Sequence, residues 1–554
     1  MPLSDADRIS IAAAAGVAAV ALLLLGWVAA LPGTPNYSDV VMYLDAAGHI
    51  GAGETPHVDF MLPFGALSAY LATLVLAVFP HAQPVLAAQY STLLIALPAM
   101  LAATWRMKER AMAGWLWAGF ALFALLPANF LSFPEPFIPS GVDGHGVYNR
   151  QAGLLLYVLI SAILFSPRPQ SVGVLTALGL VLIGFVKITA LAFALPAAVI
   201  GLAARRIDPR AFGVSLLIGF VLVLVLQWGS GMVSAYGRDI ASFASTGAEQ
   251  SLFKRLAGAG MSAFMTNFLG ALLLGAAAIA LIAKAWEGGE KPELPEIVFN
   301  PGIGLALLVG AALVVESQNT GTQALAFLTP IGLKLAREHW DGGRAARVAA
   351  ACGVIFVGLT AGVALYKGAR IVKSAFEAEP VGAPVLGLSA DPETAEAARA
   401  WLTQIGAGGF TPREAEMVAE LDQLDSMRPI SAPAFALSLE DLIADYSKWE
   451  ELSRVTVRQA GSLDFVNAAA LAVGLSPAAG MPAVYDPERI DYGRRAAAIA
   501  QSAAQADIIF TSLCGPSLYR ETYAAMIPMA LEGRTRVALD PCWVMYVRRD
   551  LPAH

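Results

Sequence analysis

The segment SDVVMYLDAAGHI, which begins at Ser38, carries acidic and aromatic residues at a spacing that suits chemistry. Helical geometry puts Asp39, Tyr43 and Ala47 on one face, because residues four apart are neighbours on a helix surface. A carboxylate and a phenol on one face can bind a ligand or exchange protons with it. The alternative is structural, since an acid in the first turn also complements the helix dipole.

A second acidic segment, FPEPFIPSGVDGHGVYNRQ, spans residues 133–151. Asp143 lies between glycines beside His145, and Arg150 follows a few residues later. Glycines let a backbone turn sharply and bring a side chain to a ligand, although Asp-Gly is also an ordinary turn sequence. Both a ligand-binding segment and a plain turn therefore fit this pattern.

Lys187 is the only charged residue in a long apolar run, residues 171–204. An ammonium group buried there costs on the order of several kcal/mol unless it meets a partner or water. We predict two short helices that meet at Lys187. If this break reaches the outer surface, Lys187 and Arg150 are placed to bind an anionic group such as a lipid phosphate. A lysine that extends to the interface at a break between half-spans is the alternative.

Glu316 and Asn319, in the polar segment VVESQNTGTQ, are interpreted as helix caps rather than as ligands. We expect His49 and His57 to be solvated loop residues, and no spacing of histidine, cysteine and carboxylate residues is typical of a zinc site. Glycine-rich nucleotide loops and nucleophile motifs are absent from the sequence. A donor substrate is therefore expected to be carried by a lipid.

Composition predicts a polytopic membrane protein. Of the 554 residues, 57% are hydrophobic and only 14% are charged. The net charge of -7 comes without a basic cluster, which argues against nucleic-acid binding. Charged residues are about twice as dense beyond residue 370. We therefore predict a transmembrane domain over 1–370 and a polar domain over 371–554.

Eleven apolar segments approach the roughly 20 residues that a membrane span needs. The segments are 9–31, 85–105, 111–130, 150–166, two halves of 171–204, 211–228, 258–284, two halves of 301–336, and 345–366. We assign the run from Leu62 to Phe79 to an interface helix, because lysines and arginines in short loops favour the cytoplasm. This assignment puts fourteen of them inside and five outside before the tail. It predicts a cytoplasmic N-terminus, a first outer loop of about 32–84 and an outer tail.

The tail has the pattern of a small α/β domain. DPETAEAARAWLTQI (391–405) has helical periodicity, whereas DIIFTS (507–512) and RVALDPCWVMYVRRD (536–550) concentrate β-branched and aromatic residues. Cys514 and Cys542 both lie in the tail, and an exported tail would allow them to pair. Two free thiols are the alternative, and the oligomeric state stays open.

These features resemble the GT-C superfamily, the polytopic glycosyltransferases that use polyprenyl-phosphate sugars, including protein mannosyltransferases and aminoarabinose transferases. The first outer loop of that family typically has an acid at a helix start, an aromatic residue four positions on, small residues, and a glycine and proline before an interface helix. The matching positions are Asp39, Tyr43, Ala46, Ala47, Gly53, Pro56, Asp59, Phe60, Pro63 and Gly65. Ala66 stands where a second proline is common.

The resemblance implies a mainly α-helical fold of about eleven spans and the activity of a hexosyl- or pentosyltransferase in the bacterial inner membrane, with a periplasmic tail. It implies that Asp39 and Asp143 occupy the acid positions of the first and second loops, and that Lys187 or Arg150 engages the lipid phosphate. Tyr43 and His145 join them as candidate substrate-binding residues. A divalent cation is the one cofactor left open.

The implied reaction is an inverting sugar transfer from a polyprenyl-phosphate donor to a glycan, lipid or protein, with Asp39 as general base. A transporter or flippase is the first alternative, although the sequence shows no internal repeat and has a long tail that transport does not explain. A non-catalytic assembly or sensor protein is the second alternative, and it predicts that Asp39→Asn is harmless.

Overall fold

The computed structural model describes residues 3–27, 30–33, 37–126, 141–142, 144, 146–245, 252–287, 299–317, 325–407, 432–464, 466–484, 496–512, 530–540 and 542–552. The α-helices of the N-terminal part are α1 Asp5–Gly26, α2 Ser38–Gly51, α3 Ala66–Val78, α4 Pro84–Ser91, α5 Leu93–Thr104, α6 Arg110–Leu125, α7 Val147–Phe165, α8 Pro169–Val186, α9 Leu191–Ala203, α10 Pro209–Ser230, α11 Met232–Ser245, α12 Leu252–Glu287, α13 Pro301–Leu307, α14 Val309–Ser317, α15 Thr329–His339 and α16 Arg344–Glu377.

The predicted helical membrane fold is confirmed. Within the described residues, seven helices are long and apolar enough to cross a membrane. The shorter apolar helices Arg110–Leu125, Ile188–Ala203 and Gly302–Glu316 lie in other predicted spans. Each of the eleven predicted segments contains a helix. Helix α7 is buried along its whole length, so it forms the centre of the bundle.

The apolar run after Leu62 forms one of the shorter apolar helices of the described chain. Helix α3 has 13 residues, which at 1.5 Å per residue is about 20 Å, against about 30 Å of bilayer hydrocarbon. It packs against α2, α4 and α8. That α3 lies along the interface stays a prediction from the charge distribution of the loops.

The break predicted at Lys187 is present. Helix α8 ends at Val186, Lys187 has extended backbone angles, and a 3-10 turn, Ile188–Ala190, leads into α9. The carbonyl group of Val186, released from the helical pattern, accepts the N–H of Gly65 at 3.0 Å. The break is therefore held by the segment that starts the interface helix.

Helix ends predicted to lie on the inner side contact one another. Asp7 at the start of α1 accepts the N–H of Arg106 at 2.7 Å, after the end of α5. Glu109, the residue before α6, pairs with Arg337 in α15. These contacts place the ends of four predicted inner segments on one side of the bundle.

Within the described residues, the tail contains four helices and most of the strands. The helices are α17 Pro392–Ala407, α18 Ala432–Ser453, α19 Ala468–Ala472 and α20 Ala496–Gln505, and the strands of the molecule are β1 Leu31–Pro32, β2 Glu379–Pro380, β3 Leu388–Ala390, β4 Gln459–Ser462, β5 Ser476–Pro477, β6 Ile508–Ser512, β7 Arg534–Ala538 and β8 Trp543–Arg548. The larger sheet has the order β5-β4-β6-β8-β7, with β4 parallel to β5 and β6 and the remaining pairs antiparallel. The predicted helix and strands of the tail are thus confirmed.

The smaller sheet joins the tail to the start of the first outer loop. Leu31 of β1 pairs in parallel with Leu388 of β3, and β2 completes the sheet on the other side. Helix α16 crosses residue 370 and ends at Glu377. The division at residue 370 stays a prediction, since the two parts share this sheet.

The cysteines differ in state. Cys542 is disulfide-bonded, and Cys352 in α16 is a buried free thiol. Cys514 lies outside the described residues. A disulfide in the tail is typical of an oxidising compartment, which agrees with the predicted outer location.

Candidate active site at the start of helix α7

Asp39 lies in the first turn of α2 and contacts the start of α7. Its side chain is 5% exposed, and its Oδ2 accepts the N–H of Gly146 at 2.9 Å. Gly146 has a φ of 59°, a left-handed conformation that glycine adopts without steric cost, and it directly precedes α7. The carboxylate is thereby fixed to the N-terminal end of the central helix.

Close packing brings the second outer loop against α2. A Cβ at Gly144 would lie 2.6 Å from a methyl group of Val40 and 3.0 Å from the backbone of Tyr37. Asp143 and His145 lie outside the described residues. Their positions relative to Asp39 stay predictions, although Gly144 and Gly146 are both adjacent to the start of α2.

Three aromatic rings line the space between α2 and α7. Tyr43 stacks on Phe64 with centroids 4.6 Å apart, and Phe64 stacks on Tyr148 at 5.1 Å. The Tyr43 hydroxyl donates to Gln151 Oε1 at 3.4 Å. Because these rings are buried together, they hold the interface segment and both helices in one arrangement.

Lys187 extends from the helix break to the same turn of α7. Its Nζ donates to Asn149 Oδ1 and lies 5.0 Å from the centre of the Tyr148 ring, a cation–π distance. Lys187 is half-buried. The polar partner and the aromatic face offset part of the cost of placing an ammonium group at this depth.

Glycine at position 65 makes this placement of Lys187 possible. A Cβ on Gly65 would overlap the carbonyl oxygen of Phe185, two residues before Lys187. Only a glycine allows the interface segment to approach the helix break so closely. The approach in turn sets Phe64 against Tyr148, on whose ring Lys187 lies.

Arg150 adds a second cation to the first turns of α7. It is 4% exposed and close enough to Tyr43 for its charge to act on that phenol. Burial raises the pKa of Tyr43 well above its usual value, with smaller contributions from Tyr148 and Asp39, and Arg150 opposes the shift. Tyr43 therefore stays protonated and able to donate a hydrogen bond.

The structure thus brings together four of the six predicted site residues. Asp39, Tyr43, Arg150 and Lys187 all contact or belong to residues 146–151 at the start of α7. The arrangement sets one carboxylate on one side of this turn and an ammonium group on another. Such a site is suited to hold an anionic group while the carboxylate acts on a neighbouring hydroxyl.

The prediction that His49 is solvated is wrong. His49 is fully buried, with Nδ1 3.2 Å from Glu54 Oε2 and Nε2 3.6 Å from Asp45 Oδ2. Burial alone would lower the pKa of His49, but the hydrogen bonds and charges of Asp45 and Glu54 outweigh it and raise the pKa to about 9. The spacing of Asp45 and His49, four residues apart on a helix, was the available signal.

This cluster joins α2 to the tail. Asn467 donates to Asp45 Oδ1 at 3.0 Å, and the N–H of Gly480 donates to Glu54 Oε2 at 3.0 Å. His49 also stacks on Phe60 with centroids 4.4 Å apart. The helix that carries Asp39 is therefore fixed by a buried ionic network to residues more than 400 positions away.

The prediction for His57 is wrong as well. Its side chain is 1% exposed, and its Nδ1 lies 2.9 Å from Oδ2 of Asp239 in α11. Asp239 is also fully buried. The two residues are 182 positions apart, and no local pattern in the sequence connects them. The tight turn around His57 packs on Tyr236, whose ring centroid lies 4.6 Å from that of the imidazole.

The described residues contain no group of three or more histidine, cysteine, aspartate or glutamate side chains that could hold a metal ion. The described residues therefore offer no complete set of ligands for the divalent cation that the sequence left open. Metal dependence stays untested.

No protein-family model matches the sequence. No curated protein matches it either. Among solved structures, the chain is similar to the crystal structure of ArnT from Cupriavidus metallidurans in the apo state, with 13% sequence identity, 96% of each chain covered and a TM-score of 0.34. A likeness of this degree does not establish a shared activity.

Proposed function

We propose that this protein is a membrane glycosyltransferase that moves a sugar from a polyprenyl-phosphate donor to an extracytoplasmic acceptor. The observation that carries the proposal is the convergence of Asp39, Arg150 and Lys187 on the first turns of α7. A carboxylate beside two cations matches the needs of a reaction in which a hydroxyl loses a proton and a phosphate leaves.

In the proposed reaction, the Asp39 carboxylate accepts the proton of the acceptor hydroxyl. The hydroxyl oxygen forms a bond to the anomeric carbon, and the bond from that carbon to the phosphate oxygen breaks with its electron pair. Asp39 is held by the N–H of Gly146, so the carboxylate keeps its position without a contribution from the substrate. Direct displacement from the opposite face inverts the anomeric centre.

The cations act on the leaving group in this proposal. Charge grows on the phosphate oxygen as the bond breaks, and a fixed ammonium or guanidinium group stabilises it. Lys187 lies at a helix break, where its Nζ is fixed by Asn149 and by the Tyr148 ring. We assign the phosphate to Lys187, with Arg150 as the second cation and Tyr43 as a hydrogen-bond donor to the substrate.

The proposed location is the bacterial inner membrane, with the N-terminus in the cytoplasm and the tail in the periplasm. The active site then lies at the outer boundary of the bilayer, where a lipid-linked donor and an exported acceptor meet. A hexose and a pentose both fit this proposal, and the acceptor is a glycan, a lipid or a protein.

The experiment uses the purified full chain in liposomes with polyprenyl-phosphate sugars, and it compares Asp39→Asn with the wild type. An asparagine Oδ1 still accepts the N–H of Gly146, so the variant keeps the contact and loses only the basic group. We expect turnover to fall by about a hundred- to ten-thousandfold. Asp341→Asn, at an exposed position between α15 and α16, is the matched control.

Two results would contradict the proposal. Full turnover in Asp39→Asn would exclude the carboxylate as the base, and retention of configuration in the product, read by NMR of the anomeric proton, would exclude direct displacement. In cells, mass spectrometry of glycolipids and surface glycans should show the same single-sugar loss in a deletion strain and in a strain that carries Asp39→Asn.

A further inference from the structure

Asn149 is a buried amide in the first turn of α7, where it is 1% exposed. The N–H of Asn149 donates to the carbonyl of Gly146 at 2.8 Å. The N–H of Gly146 in turn donates to the carboxylate of Asp39. Residues three apart are neighbours on a helix surface, so Asn149 lies one helical turn from the group that fixes the proposed base.

Lys187 determines which end of this amide is free. An ammonium group carries hydrogen-bond donors and no acceptor, so only the amide oxygen of Asn149 can face it. Oδ1 accepts this bond from Lys187 Nζ, which leaves the amide nitrogen Nδ2. Nδ2 is buried, and no hydrogen-bond partner faces it within the part of the chain that the structure describes. Because a buried donor without a partner is costly, a ligand that accepts a hydrogen bond from Nδ2 removes that cost when it binds.

The position of Nδ2 beside Lys187 suits a phosphate group. Nδ2 and Oδ1 share one carbon atom, so the hydrogen bond to Oδ1 keeps Nδ2 within about 5 Å of Nζ. A phosphate oxygen accepts charge-assisted hydrogen bonds of about 2.8 Å, and two oxygens of one phosphate can therefore meet both nitrogens. Lys187 is half-buried, so a ligand can reach the pair from the ammonium side. The N-terminal end of a helix such as α7 also favours negative charge.

We infer that Asn149 is a further phosphate-binding residue of the donor site, and this inference rests on the proposed function. Its Oδ1 holds the Lys187 ammonium group, while its Nδ2 donates a hydrogen bond to a second oxygen of the lipid phosphate. Both nitrogens thus bind the same group. Asparagine suits this role because a carboxylate at the same position would hold Lys187 but repel the phosphate.

The first test compares Asn149→Asp with the wild type in the binding of undecaprenyl phosphate, measured by titration calorimetry on the full chain in nanodiscs. Aspartate keeps an oxygen for Lys187 and loses the donor. We expect about a hundredfold weaker binding of undecaprenyl phosphate, and unchanged binding of undecaprenol, which has the same chain and no phosphate. Asn300→Asp is the matched control, because Asn300 is an exposed N-cap residue of α13 and aspartate caps a helix equally well.

A double-mutant cycle separates direct binding from an effect through Lys187. If Asn149 only held the ammonium group, Asn149→Ala would cause no further loss once Lys187→Gln has removed that group. A direct hydrogen bond predicts a further loss of about tenfold in the Lys187→Gln background. An unchanged affinity in that background overturns the inference, and so does an Asn149→Asp variant that binds undecaprenyl phosphate as tightly as the wild type.

The wild type offers a measurement that does not depend on the folding of a variant. Solid-state NMR detects the coupling between the phosphorus of bound undecaprenyl phosphate and asparagine side chains that are isotope-labelled at Nδ2. We expect one such nitrogen within about 4 Å of the phosphorus, with a signal that is absent from Asn149→Asp. A wild type that transfers sugar and binds the lipid without this contact overturns the role of Asn149 and leaves the proposed function intact. A wild type that neither binds undecaprenyl phosphate nor transfers sugar overturns the proposed function, and this inference with it.

Discussion

At the scale of residues, an ammonium group in the wall of a membrane bundle needs a reason. The amide oxygen of Asn149 and the aromatic face of Tyr148 are among the partners of Lys187. An apolar residue at this position would pack without the cost of desolvating a charge. In the proposed function the ammonium group has a use there, because it stabilises the charge that grows on the leaving phosphate.

Lys187→Gln removes this charge and keeps a hydrogen-bond donor. We expect kcat/KM for the polyprenyl-phosphate sugar to fall by about ten- to a hundredfold, since a charge-assisted hydrogen bond to phosphate is lost. Steady-state kinetics against donor concentration measure this effect. Lys187→Arg should recover part of it because the charge is retained.

Lys108→Gln is the matched control for this measurement, since Lys108 is exposed in a predicted inner loop. An equal loss in both variants would point to general charge effects. Unchanged kinetics in Lys187→Gln would remove Lys187 from the donor site.

The sequence predicted part of this site for a physical reason. Lys187 stood out because a charge within an apolar run is costly, and that cost is visible without any tertiary contact. Asp39 stood out because helical spacing puts it on one face with Tyr43. His49 and His57 gave the opposite result. Their segment is rich in glycine and polar residues, which suggested solvent. The partner of His57 comes from α11, a long-range contact that no local pattern encodes. His49 differs, because its partner Asp45 lies four residues earlier on α2, at a spacing that the sequence shows.

At the scale of elements, the interface helix and the helix break form one unit. The N–H of Gly65 bonds to Val186, and the residues on either side position Phe64 and Lys187. Loop charges are the basis for predicting an interface helix here, because lysine and arginine in short loops favour the cytoplasm. They did not predict its docking on α8, which depends on the close approach at Gly65.

Gly65→Ala should separate these two elements. The added Cβ overlaps a backbone carbonyl, which cannot move without displacing the break. We expect a lower midpoint of thermal unfolding in detergent and a loss of transfer activity. Gly51→Ala is the matched control, because a Cβ on Gly51 at the end of α2 meets open space.

Equal stability and activity in the two glycine variants would show that the interface segment tolerates a larger distance from the helix break. Donor affinity offers a finer measure. If the close approach of Gly65 to the helix break holds Lys187 in place, Gly65→Ala should raise KM for the donor in the protein that stays folded.

At the scale of the whole molecule, the tail and the first outer loop are joined at several places. The small sheet pairs β1 with β3, Tyr37 donates to the carbonyl of Leu386 at 2.5 Å, and the N–H of Ala483 donates to Met61 at 3.2 Å. Each contact spans hundreds of residues. The sequence predicted a helix and the longer strands of the tail. A strand of two residues such as β1 is too short to show a periodic pattern.

Another of these connections is ionic and sensitive to pH. The pKa of His49 is raised to about 9 from an ordinary value near 6.5, so folding favours the protonated form. The stabilisation is complete below pH 6.5 and is lost as the pH rises towards 9. One pKa unit is worth about 1.4 kcal/mol, so the full shift corresponds to about 3 kcal/mol.

We therefore expect the tail to loosen from α2 between about pH 7 and 9, through loss of the His49 cation. The expected result is a fall in the thermal unfolding midpoint of the wild type over this range, together with faster hydrogen exchange at Asn467 and Gly480. His49→Gln should have a lower midpoint that changes less with pH, whereas His81→Gln, at an exposed position, should follow the wild type. Since α2 carries Asp39, transfer activity should decline with the midpoint. A midpoint in His49→Gln that falls as steeply as in the wild type would assign the pH dependence to another group.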